Sequence, residues 1–67
     1  MEKDILEDLY MSVRPYLYDA SMIRDFLDKN SKLDDDALMS EAEKMIGSSD
    51  GTIRTDFQIL YNAMNKK

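Results

Sequence analysis

Asp50-Gly51-Thr52-Ile53, followed by Asp56, is the stretch of this chain whose residue types and spacing come nearest to chemistry. A carboxylate just ahead of a glycine turn can aim oxygen at a hard cation, and calcium takes about 6–8 such oxygens. A dedicated calcium loop needs about 12 residues closed by a bidentate acid, and this turn is shorter. The rest of the inventory argues against catalysis. The chain has no histidine and no cysteine, so the commonest general base, the commonest transition-metal ligand and the thiolate are all missing. Acids are plentiful, yet no pattern places two of them in a pocket. Neither an enzyme, a cofactor nor a bound metal is expected.

The elements that must position these residues belong to one small domain. A chain of 67 residues buries only about 60% of its unfolded surface, and chains this small usually add a staple or a partner. Without cysteine the staple cannot be a disulfide, which suits an intracellular setting. The formal net charge is -5, from 14 acids and 9 bases. It divides unevenly, net -7 over residues 1–51 and net +2 over residues 52–67. The acidic part suits a basic peptide far better than a polyphosphate. No apolar run approaches the roughly 18 residues of a membrane span. Met1-Glu2-Lys3-Asp4 carries acids where a secretory signal would be positive, so a cytoplasmic protein with no direct membrane contact is expected.

Apolar periodicity is helical almost throughout. Ile5, Leu6, Leu9, Tyr10 and Val13 form one face of a helix near residues 2–14, which ends before Pro15. Met22, Ile23, Phe26 and Leu27 mark a second helix near 20–29, with Asp19 as its N-cap. Asp34 is placed to cap a third, with Asp35 and Asp36 in its first turn where negative charge suits the helix dipole, and Leu33 is placed to staple onto Leu38. Leu38, Ala42, Met45 and Ile46 give its buried stripe, and Gly47 is the expected residue just past its end. A fourth helix begins between Ser49 and Thr55 and carries Ile53, Phe57, Leu60, Tyr61 and Met64. The expected class is all-α, four short helices.

The chain also reads as two helix–loop–helix halves. Leu17 and Ile53 hold corresponding places in them, 36 positions apart, a spacing that raises an internal repeat. With "YLYDASMIRDFL" in the first half, and "SKLDDDALMSEAEKMI", "DGTI" and "DFQILYNAM" in the second, the chain resembles an EF-hand pair, one lobe of the calmodulin and myosin light chain superfamily. The resemblance covers nearly all of residues 1–67 as a single lobe: a degenerate hand at about 2–29, a linker at 30–33 and a second degenerate hand at about 34–65. It implies a minimal β-bridge between Leu17 and Ile53. Laid against the second hand, Asp50 takes the fifth loop position and Gly51 the sharp-turn glycine, but the first and third fall on Ile46 and Ser48. Asp56 stands one residue before the closing acid. The first hand offers only Asp19, with Ser21 near the closing position. Neither loop supplies a calcium ligand set.

A one-lobe, metal-free chain is most similar to the small light chains of amoeboid class I myosins. That resemblance implies calcium-independent binding to an IQ motif, a basic amphipathic helix in the myosin neck, which the light chain stiffens into a lever at the actin-rich cortex. The free protein is expected to be monomeric. The groove of such a lobe falls on Met22, Phe26, Met39, Met45, Leu60, Tyr61 and Met64, and methionine suits a surface that adapts to helices. Asp25, Asp28, Glu41 and Glu43 would form an acidic rim. The same apolar spacing is also what a core demands, and Leu9, Val13, Leu17, Ile46, Ile53 and Phe57 are the residues expected there. Two other readings stay open. "GSSDGTIRTDFQIL" also resembles the turn and recognition helix of a repressor-type helix-turn-helix, with Thr52, Arg54 and Thr55 where base edges are met, although the acidic remainder disfavours DNA. An acidic helical adaptor or inhibitor of some other protein is the third.

Overall fold

The protein is described from a computed structural model covering residues 2–65. In chain order it has helix α1 (Lys3–Val13), a 3-10 turn (Arg14–Tyr16), α2 (Ala20–Lys29), α3 (Asp35–Ser48) and α4 (Gly51–Asn65). The expected all-α class and four helices are what forms.

Local chemistry accounts for most of the boundaries. α1 buries Leu6, Leu9, Tyr10 and Val13, an i, i+3, i+4, i+7 stripe. It gives way to the 3-10 turn that contains Pro15, whose ring cannot donate a backbone bond. The Asp19 side chain accepts from the Met22 N–H at 3.2 Å and opens α2. The Asn30 amide donates to the Phe26 carbonyl at 2.8 Å and closes it. Asp34 caps α3 through the Ala37 N–H at 2.8 Å, with Asp35 and Asp36 in the first turn. α3 does not stop before Gly47, as its composition suggests, but runs through it to Ser48. The turn residue is instead Gly51, at φ 63°, a conformation in which a Cβ would be strained.

All four helices feed one core. Ile23 of α2, Leu38 and Ala42 of α3, and Phe57 and Leu60 of α4 are almost wholly buried, and α1 closes the assembly with Leu9 and Val13. α3 and α4 pack closely against each other across the short Ser49–Asp50 turn.

The expected bridge between Leu17 and Ile53 does not form, and no strand or bridge occurs among the described residues. Gly51 lets the chain enter α4 directly after Asp50, so Thr52 and Ile53 lie in the first turn of a helix rather than in an extended loop. Ile53, expected in the core, is 44% exposed. Leu17 is extended but half-buried, and its N–H returns to the Arg14 carbonyl at 3.2 Å.

Candidate functional site

α2 lies with one face along a cleft. Asp19, Ser21, Met22, Asp25, Phe26, Lys29 and Asn30 line its length, Met45 of α3 faces them, and Phe57 of α4 forms the floor. Met22, Phe26 and Met45 are half-buried, while Asp19, Asp25 and Lys29 are exposed at the margin. The Phe26 ring meets Phe57 edge-on, with centroids 5.0 Å apart and planes at 78°, the T-shaped arrangement that ring quadrupoles favour. The cleft is therefore an apolar trough with a charged rim.

Four of the sequence-predicted site residues, Met22, Phe26, Met45 and Asp25, come together here. The others are dispersed. Leu60 is 0% and Met64 4% exposed, so both are closed to a ligand and serve the core. Met39 and Tyr61 are half-buried and pack against that core, outside the cleft. Asp28 faces a separate depression between α1 and α2, where Arg24 lies over the Tyr10 ring at 5.2 Å and reaches Glu7 at 3.7 Å. Glu41 pairs with Lys44 at 3.0 Å on α3, and Glu43 is exposed away from the cleft. Asp19 and Lys29 are rim residues that periodicity alone did not single out.

Asp56 is the other residue whose role emerges only in three dimensions. It is 1% exposed, and its two carboxylate oxygens accept from the Tyr18 and Asp19 N–H groups, each at 2.8 Å. The sequence carried one signal for this. Ile53, Asp56, Phe57 and Leu60 share a helical stripe, and an acid among apolar positions must find hydrogen-bond donors when buried. The carboxylate ties the connection ahead of α2 to α4, and so holds the α2 wall of the cleft to its floor. Asp50, by contrast, is exposed. The two acids nearest a calcium-loop pattern thus point to different environments, and no group of three potential ligands is assembled among the described residues.

α4 presents a second surface. Thr52, Arg54, Thr55, Gln58 and Asn62 are exposed on it, and its only acid, Asp56, is turned inward. The Thr55 hydroxyl donates back to the Gly51 carbonyl at 3.2 Å. No helix among the described residues is long and apolar enough to cross a membrane.

Comparison with family models, with curated proteins and with solved structures gives no match.

Proposed function

We propose that this chain is a helix-binding module whose cleft receives the apolar face of a basic amphipathic helix. One observation carries the reading: Met22, Phe26 and Met45 converge from two helices on a floor of Phe57, with Asp19 and Asp25 at the edge. A helix-in-groove site needs an adaptable apolar trough and a rim of opposite charge to the ligand. The family resemblance points to the IQ helix of a class I myosin heavy chain as the partner, and to stiffening of its neck as the consequence. In this reading the chain is a lobe of two helix–linker–helix halves that has given up the calcium loop and its bridge. Binding is then independent of calcium, because Asp50 and Asp56 do not share a site, and a ligand that engages only the folded state stabilises so small a domain.

Calorimetric titration with a synthetic IQ-motif peptide, in EGTA and again in millimolar calcium, tests this. Equal one-to-one binding in both is expected, weakened about tenfold by Met45→Ala. Absence of binding to the IQ peptide and to other basic amphipathic helices removes the reading.

The exposed, acid-free face of α4 favours a second reading, a DNA-binding hairpin in which α4 enters the major groove. Thr, Arg, Gln and Asn are residue types that address base edges, and here they occupy one face after a tight turn. The acidic α1 and α3 oppose it, since phosphate contact dominates affinity for DNA. Duplex binding that falls steeply with salt and is lost in Arg54→Ala is the outcome that favours this reading over the first.

A further inference from the structure

We infer that a second copy of this chain docks on the groove between α1 and α4, forming a two-fold dimer centred on Ser12. This groove shares no lining residue with the cleft, so the inference stands independently of the helix-binding reading. It consists of two adjoining depressions that have Ser12 and Ala63 in common. Ile5 borders one end and Tyr16 the other, with Ile59 on the α4 side. Ile5 is 37% and Tyr16 70% exposed, so apolar surface that the fold leaves uncovered is gathered along this line.

Charge decides the occupant. The chain is 34% charged with a net charge of -5, yet among the described residues Asp8 is the one charged side chain that lines the groove. A basic partner is drawn to more acidic surface, and a phosphate needs cations that the groove lacks. Two copies of an acidic chain repel each other over most of their surface and meet closely only where charge is sparse. The lone charge also finds a mate in that arrangement. Asp8 stands four residues before Ser12 and Tyr16 four residues after it, about 6–7 Å along the axis in each direction. With the two α1 helices antiparallel across a two-fold axis at Ser12, Asp8 of each copy faces Tyr16 of the other, the reciprocal contact of an isologous interface. A phenol donates to a carboxylate. Among the described residues, neither the Asp8 carboxylate nor the Tyr16 hydroxyl has a side-chain hydrogen bond or ion pair within its own chain. Ser12 at the axis is small, and its hydroxyl already donates to the Leu9 carbonyl at 2.7 Å, so close approach there strands no donor. A face about 17 Å long from Ile5 to Tyr16 is small for a stable interface. The dimer is therefore weak, and the monomer expected of the free protein is its dilute state.

Sedimentation equilibrium from about 5 μM to about 1 mM, the range suited to a small interface, tests this. Wild type should pass from monomer to dimer. Ser12→Arg, which sets two cations at the axis, should stay monomeric with its helical circular dichroism unchanged. Tyr16→Phe should weaken association about tenfold by stranding both Asp8 carboxylates, and should have no such effect in an Asp8→Ala background. Isotope-labelled wild type mixed with an unlabelled, spin-labelled Met11→Cys copy, whose thiol is the only one in its chain, should show broadening at Ser12 and Ala63. A monomer throughout the range overturns the inference and leaves the groove to a chain of other sequence. Equal effects of Tyr16→Phe in both backgrounds overturn the two-fold pairing. A dimer that survives Ser12→Arg, with broadening at Met22 and Met45 instead, also overturns it, because the second copy then occupies the cleft.

Discussion

Phe26 and Phe57 meet edge to face, 5.0 Å apart, yet only Phe57 belongs to the core, at 1% exposure. The contact is where packing that holds the fold becomes packing that can hold a ligand. Phe57→Ala removes a fully buried ring and should destabilise by about 3–5 kcal/mol, a large share of the stability of any small domain. Phe26→Ala opens the cleft side and should cost about half of that, while reducing peptide affinity about tenfold. Urea unfolding followed by circular dichroism gives the first quantity and calorimetry the second. Unchanged affinity in Phe26→Ala would place the ligand elsewhere.

Asp56 gives a sharper test of the tertiary structure. Asp56→Ala leaves the Tyr18 and Asp19 N–H groups without their acceptor and should cost about 3 kcal/mol. Asp56→Asn keeps one acceptor oxygen but turns an amide donor toward the other N–H, and should cost about 1–2 kcal/mol. Amide hydrogen exchange should report the same bonds directly, with protection lost at both Tyr18 and Asp19 in Asp56→Ala and at one of the two in Asp56→Asn. Protection that persists in Asp56→Ala would mean that the clamp does not exist.

The two glycines should respond with opposite signs. At Gly47, inside α3, an added Cβ meets nothing within 4 Å, so Gly47→Ala should stabilise by about 0.5–1 kcal/mol. Gly51 has equal space but sits at φ +63°, so Gly51→Ala should destabilise by about 1 kcal/mol. Thermal midpoints of the two variants, one above and one below wild type, are the readout. Two shifts in the same direction would contradict the α3–α4 turn described above.

Caps and surface pairs should differ in the same assay. Asp34→Ala removes the acceptor for the Ala37 N–H and should cost about 1 kcal/mol. Glu7→Gln breaks only a 3.7 Å contact with Arg24 between side chains that are about half exposed, at 55% and 49%, and should change stability by less than about 0.5 kcal/mol. A larger loss at Glu7 than at Asp34 would reverse the ranking.

Helix positions and caps were legible because their causes are local. Asp19 and Asp34 cap the helices they were expected to cap, Pro15 marks the end of α1, and the stripes of Leu9 and Val13, Ile23 and Leu27, and Leu38 and Ala42 turn inward as their spacing requires. The cleft was legible only in part. Met22 and Met45 line it while Leu60 and Met64 are sealed in the core, although all four occupy apolar helical positions. Residue type misplaced Ile53, whose first turn of α4 leaves it 44% exposed.

By itself, then, the sequence determined that this is an all-α chain of four helices, where the first three begin, and which face of each is apolar. Capping bonds and helical repeats act within about four residues, and every contributor is visible in a short window. Only the tertiary structure decided which apolar residues line the cleft and what Asp56 does. Its partners Tyr18 and Asp19 lie 38 and 37 residues away, and burial is set by whichever distant helix covers a side chain, a property of the assembled fold that no local window contains.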